Sequence, residues 1–463
     1  MQFNFHTMKF SRLFPIISIL VFLLVSGLGC KGLSQEEVQA TKSVSLEYWT
    51  VFDDVDALQA EISAYTAERP YLSVNLRQLR SDELYPRLVE ALAEDRGPDI
   101  ISIQNRRLGE FISKLAPMPA SVQDTTMIVT ENSFGGTETT VNTSVRPMIT
   151  LAQLDNEYVK AVRDDVARGG SIYGLPLSMD MMAIFYNKDL LDRSGIAEAP
   201  KTWEEFQAAV KKITKYNKTT GKIIQSGTAL GTGNNIPGSD DLLYMLFRQS
   251  NISYVARDGK AVFNMVGSSA GQILDFYTDF ANPSRDTYAW STDQGDALTA
   301  FINGKVGFFF GYSYHYAQIK ARAPQLDFRV LPLFQLNSEA PVNVTSYWMQ
   351  SVVAKSKQQN TAWGLVDYLT HSKSVKNYLD RTGRPTALRT YIADQKNKPE
   401  LAPFVDQILI AENWYRGRDY AAATKAVQDM IAEWTVPAPN PDKVSEWRQE
   451  ILNRGASKIN QTL

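Results

Sequence analysis

The stretch VSLEYWTVFDDVDALQAEISAYTAERPYLSVNLRQLRSDELYPRLVEALAEDRGPDIISI, residues 44–103, decides the fold. Its first residues, Val44-Ser45-Leu46-Glu47-Tyr48-Trp49, alternate as a strand does. Leu58, Ile62 and Tyr65 then recur at helical spacing, and Pro70 marks the stop. Residues 72–79 alternate again. Leu84, Leu88, Ala91 and Leu92 give a second helix, which Gly97-Pro98 closes, and 99–103 is a short apolar strand. Strand, helix, strand, helix, strand in so short a span implies right-handed parallel crossovers and an open α/β sheet. Such sheets hold ligands outside the carboxyl ends of their strands. Those positions are Trp49, Thr50 and Phe52 after the first strand, Arg80 and Ser81 after the second, and Gln104 and Asn105 after the third.

Upstream, Lys9 and Arg12 precede an apolar run at 13–25 and the small-residue segment Ser26-Gly27-Leu28-Gly29, followed by Cys30. A basic start, an apolar centre and a small-residue cleavage site describe an export signal over residues 1–29. An uncleaved spanning anchor is the competing reading, although the run falls just short of a full span. Cys30 is the only cysteine, so no intramolecular disulfide can form, and it is the candidate lipidation site. Residues 30–43 read as a polar tether without apolar periodicity.

Downstream, 121–150 is polar, Thr-rich and without clear period, a surface insertion. A second α/β region opens with Ile172-Tyr173-Gly174-Leu175-Pro176 and the apolar strand at 181–186. Thr202 and Glu205 have capping-box spacing ahead of a helix at 203–216. From Lys398 onward helices are broken by Pro437, Pro439 and Pro441.

At 463 residues the chain exceeds one ordinary core, so two units are expected. A net charge of −2 argues against a nucleic-acid partner. Three histidines, His6, His315 and His371, are too few for a His-rich zinc site. Asp53, Asp54 and Asp56 lack the spacing of a calcium loop and read as a solvated loop or helix N-terminus. No Gly-x-Ser-x-Gly, His-Glu-x-x-His, phosphate-loop or Gly-x-Gly-x-x-Gly motif is present.

Several segments in order carry a resemblance. They are Glu47-Tyr48-Trp49, Arg96-Gly97-Pro98-Asp99-Ile100, Ile172 through Pro176, Ile184-Phe185-Tyr186-Asn187-Lys188-Asp189-Leu190, Pro200-Lys201-Thr202-Trp203-Glu204-Glu205-Phe206, Phe301-Ile302-Asn303-Gly304-Lys305-Val306-Gly307 and Ala362 through Leu369. Together they resemble the extracellular solute-binding proteins of ABC importers, the family that includes maltose-binding protein. The residues before Cys30 resemble a bacterial lipoprotein signal, with Gly27 where that pattern has a Leu-like residue.

The resemblance implies an α/β, two-lobed periplasmic-binding-protein fold with ligand in the cleft. It places lobe one at 44–180 plus 342–383 and lobe two at 181–341 plus 384–463, with crossings near 177–187, 331–341 and 384–390. It implies an exported protein, lipid-anchored to the outer face of the cytoplasmic membrane, a monomer that passes a small solute to an ABC permease, with no cofactor and no metal.

A sugar offers apolar C–H faces to aromatic rings and hydroxyls to carboxylates, amides and guanidinium groups. With the strand-end positions and the places where the resemblance puts the cleft, the candidate ligand-binding set is Trp49, Phe52, Gln104, Asn105, Asp180, Trp290, Tyr312, Tyr314, Tyr347, Trp348, Arg384 and Trp414. For each aromatic the competing reading is core packing, which wins for Phe308-Phe309-Phe310. His315 reads as a cleft or surface histidine, and Arg106-Arg107 as a solvated loop or partner contact, with steering of an anionic ligand the competing reading. Three functions remain in competition: carbohydrate delivery to a permease, an exported glycoside hydrolase using paired carboxylates, and a sensor or adhesion module with the same cleft.

Overall fold

A computed structural model of the chain describes residues 33–131, 137–256 and 259–463. The signal at 1–29 and Cys30 lie outside the described residues. Among the described residues no helix is long and apolar enough to cross a membrane.

The opening strands Val44–Thr50, Leu72–Gln78 and Ile100–Gln104 pair in parallel around the first, as the crossovers require. Helices Val55–Ala67 and Ser81–Ala93 bury Leu58, Ile62 and Tyr65, and Leu84, Leu88 and Leu92. Trp348–Val352 and then Leu175–Pro176 complete a five-stranded sheet. A second sheet is built on the buried, largely apolar strands Asp180–Asn187 and Val306–Tyr312, flanked by Ile223–Thr228 and Asn343–Ser346. Phe308, Phe309 and Phe310 are buried in it, the core assignment expected for them. The C-terminal helices Tyr420–Trp434 and Val444–Asn460 pack on each other and on Ser239–Gln249 and Ala270–Thr278, beside the second sheet.

Among the described residues the chain passes between the two large sheets three times. The first passage is 177–179, between Leu175–Pro176 and Asp180–Asn187. The second is Tyr347 alone, because Asn343–Ser346 pairs with the second sheet and Trp348–Val352 with the first. The expected crossing at 331–341 is corrected on this point. Phe328–Leu331 and Asn343–Ser346 both pair with Asp180–Asn187, and Asn343 Nδ2 donates to the Met182 carbonyl at 2.9 Å. The two prolines in that segment, Pro332 and Pro341, break a strand without leaving the lobe. The third passage follows helix Ser372–Thr382, and Met179 N–H donates to the Pro385 carbonyl at 3.0 Å, tying it to the first.

Two local expectations also change. The tether contains a short exposed helix, Gln35–Ala40, started by a Ser34–Glu37 capping box that needs no apolar period. The insertion is a long ribbon, with Ser121–Glu131 and Thr137–Pro147 paired antiparallel. Its outer part is exposed on both faces, so Thr and Val supply strand propensity without the alternation that betrays a half-buried strand.

Candidate functional site

The carboxyl ends of the first sheet's strands meet the corresponding edge of the second sheet. On the first lobe's side, Phe52 is 49% exposed and stands edge-on to Trp348, ring centres 5.4 Å apart. Tyr85 lies stacked beyond Trp348 at 6.4 Å, with the Arg107 guanidinium 3.7 Å from its ring centre. Gln104 Nε2 reaches across to Ser346 Oγ at 3.4 Å.

On the second lobe's side, the Gly311-Tyr312-Ser313-Tyr314 turn carries the strand end into helix Tyr314–Arg322. Tyr314 is 38% exposed and lies nearly parallel to Tyr312 at 5.8 Å. Asp180 Oδ1 accepts from Ser313 Oγ at 2.6 Å. Burial raises the Asp180 carboxyl above its ordinary value, and Arg384, the Ser313 hydroxyl and the Tyr314 amide oppose that rise. Arg384, on the third crossing, donates to the Phe52 carbonyl and so ties this wall to the first.

Six of the expected residues therefore come together, Phe52, Gln104, Tyr314, Trp348 and Arg384 with surface to offer and Asp180 buried just behind them. They supply three aromatic faces, a carboxylate, an amide and a guanidinium. That combination stacks on an apolar ring face and hydrogen-bonds hydroxyls around its edge. Below them Asp53 is buried and accepts from Thr50, from Ser102 Oγ at 3.1 Å and from Gln350 Nε2 at 3.3 Å, so it braces the floor. Its neighbour Asp54 caps a helix by accepting from Ala57 N–H at 2.8 Å.

The other six lie elsewhere. Trp290 is fully buried in the second lobe, its Nε1 donating to Asn235 Oδ1 at 3.3 Å. With no exposed surface it is a core residue, the competing reading stated for each aromatic. Trp49 is buried on the first sheet, with Arg77 5.8 Å from its ring centre. Asn105, Tyr312, Tyr347 and Trp414 are each buried within a polar network between the lobes. His315 is likewise buried: its Nδ1 accepts from Tyr312 N–H at 2.9 Å, and burial holds its pKa down to about 4, so it is a neutral prop for the turn.

The network was invisible in the sequence. Arg106, expected in a solvated loop, is 2% exposed and leaves the first lobe to enter the second. Its Nη1 donates to Asp241 Oδ2 and to the Tyr420 hydroxyl, each at 2.6 Å, and its Nη2 to the Thr345 carbonyl at 2.8 Å. Asp241 also accepts from Tyr312 and from Trp414 Nε1. A second centre is Asp165, whose Oδ2 accepts from Asn105 Nδ2 at 2.8 Å, Tyr347 at 3.0 Å and Asn413 Nδ2 at 2.6 Å. Asn413 joins the two centres, because its Oδ1 accepts from Arg106 at 3.3 Å. Nothing in the spacing of Arg106, Asp165, Asp241 and Asn413 announces that they meet.

Comparison with known proteins gives a consistent result. A family model described as bacterial extracellular solute-binding protein matches residues 51–376. The chain is 24% identical over 313 residues to a binding protein of Brucella abortus, spanning 66% of each, just under two thirds of that relative's length. It is 26% identical over 272 residues to the multiple sugar-binding protein of Streptococcus mutans, covering 55% of this chain and 61% of that one.

Among solved structures, a cyclo/maltodextrin-binding protein complexed with maltotetraose matches with a TM-score of 0.68 at 16% identity, over 91% of this chain and 97% of that one. A cyclic alpha-maltosyl-1,6-maltose binding protein from Arthrobacter globiformis also matches with a TM-score of 0.68, at 18% identity, over 90% and 98%. At such identities the structures establish the two-lobed fold, and the family match spans most of the chain. The chain belongs to the bacterial extracellular solute-binding protein family.

Proposed function

We propose that this protein captures a carbohydrate-like solute between its lobes and delivers it to an ABC permease without altering it. The observation that carries the reading is the six-residue cluster at the facing sheet ends. Phe52, Trp348 and Tyr314 present partly exposed rings from both lobes, with Asp180, Gln104 and Arg384 at their edges. Rings match the C–H faces of a sugar, and the polar groups match its hydroxyls. The names of the relatives and the ligands in the solved structures point the same way. Glycoside hydrolysis needs two carboxyl groups poised about 5–10 Å apart across the bond that breaks. Of the acids discussed at this cleft, Asp180 borders the open cluster, whereas the acceptors of Asp53 are taken up by its neighbours.

Export through the 1–29 signal, lipid attachment at Cys30 and the segment between Cys30 and Val44 then fit a capture domain held beside its transporter, where tethering raises the local concentration of loaded protein. Mass spectrometry of the mature N-terminus tests the anchor: a lipid-modified Cys30 is expected, and an unmodified residue there removes the anchor from the account. For the site, Trp348→Ala is expected to weaken saccharide binding about tenfold or more while leaving the unliganded melting temperature nearly unchanged. A large loss of unliganded stability would instead make Trp348 a packing residue.

A further inference from the structure

We infer that Arg106 is a positioning residue for solute capture, an interlobe clasp that sets how far the two lobes stand apart when no solute is bound. The inference rests on the capture reading only for its purpose. Its structural content stands by itself. Arg106 follows the strand Ile100–Gln104 of the first sheet, yet its side chain ends among residues of the second lobe. Both Arg106 and Asp241 are 2% exposed, so neither charge can be released to water unless the lobes separate. A buried guanidinium is costly unless acceptors are held against it. Here Asp241, Tyr420, Tyr312, the Thr345 carbonyl and Asn413 meet its two terminal nitrogens, all from beyond the hinge, while Nε is buried without a partner.

The clasp is also geared to the hinge itself. Tyr347 is the entire second crossing, its hydroxyl donates to Asp165, and Asp165 holds the amide of Asn413, which in turn faces Arg106. Opening the lobes about Tyr347 therefore pulls on the same chain of bonds that Arg106 terminates. Backbone packing reinforces it: a Cβ on Gly109 would come within 2.1 Å of the Gly417 carbonyl oxygen, so the two lobes touch there main chain to main chain.

Small-angle scattering of the full chain without added sugar tests this directly, comparing wild type with Arg106→Met, Arg106→Lys and the double variant Arg106→Met/Asp241→Asn. The double variant removes both members of the direct ion pair, and adding Asp240→Asn to it neutralises the other buried carboxylate facing Arg106, so the test stays valid if Arg106→Met alone fails to fold. The clasp predicts that the double variant has a larger radius of gyration than wild type and a longer maximum dimension, with Arg106→Lys between them. A double variant that is folded by circular dichroism and has the wild-type scattering curve overturns the inference and makes Arg106 a packing residue only. Titration of the same proteins with maltotetraose is the companion measurement. If no variant binds it while scattering shows the predicted opening, the choice of sugar fails and the clasp stands. If wild type binds it and the clasp holds, the opened variant is expected to bind about tenfold more weakly, within the usual range of coupling between sites.

Discussion

At the scale of single residues, the two kinds of tryptophan in this chain make opposite predictions. Trp290 is fully enclosed, and Trp290→Ala should cost about 3–5 kcal/mol of folding stability, read by denaturant titration, whatever solute is present. Trp348 and Phe52 keep open surface, so their loss should fall on binding. Sequence alone could not sort these residues, because a Trp beside a strand end and a Trp one turn deeper have the same neighbours in the chain. What separates them is a few ångströms of depth. The same limit hid Arg106. A pair of arginines after a strand reads as solvated, and the acceptors that make burial affordable for Arg106 lie far away along the chain, at Asp241, Thr345 and Asn413.

At the scale of elements, helix Ser239–Gln249 starts with two adjacent buried carboxylates, Asp240 and Asp241, facing the single guanidinium of Arg106. Burial and then the Asp241 charge push the Asp240 carboxyl up from 3.8 to about 6, against the pull of Arg106 and the hydrogen bond from Thr424. A folded-state pKa above the unfolded one means the folded protein binds the proton more tightly. Stability from this group therefore falls as the pH rises from about 4 to about 6, and the full penalty persists above that. Asp240→Asn keeps an oxygen to accept from Tyr420 and Thr424 and removes the charge. Its melting temperature relative to wild type should be higher at pH 8 than at pH 4.5. An offset that does not vary with pH would contradict the assignment.

The neighbouring helix Leu108–Phe111 gives a steric counterpart, since Gly109→Ala leaves no room against Gly417. That variant should lower the melting temperature and enlarge the unliganded protein in scattering. Val55–Ala67 was legible because its burial repeats at a helix period, and Val306–Tyr312 because a short continuous apolar run reads as a fully buried strand. The ribbon Ser121–Glu131 with Thr137–Pro147 was not, because solvent on both faces leaves no period to read.

At the scale of the whole molecule, two α/β lobes followed from the order of elements and from the motifs between residues 44 and 389. The first-sheet topology and both apolar central strands are where that reading put them. The hinge was less legible. A crossing is a change of sheet, and no residue type marks it. Pro332 and Pro341 draw attention to a loop that stays beside the second sheet, while the true passage is the single residue Tyr347. Half of the expected ligand residues converge at the facing strand ends, and several of the others form the interlobe network instead. The protein is thus two α/β lobes joined by short crossings, and the proposal is that it recognises its solute in the cleft between them.

Calorimetric titration of the full chain against mono- to tetrasaccharides, with the sugar recovered and analysed afterwards, tests that claim most directly. The account predicts saturable one-to-one binding of at least one saccharide, recovered intact after hours with the protein. No heat from any member of the series, or recovery of cleaved sugar, would contradict it.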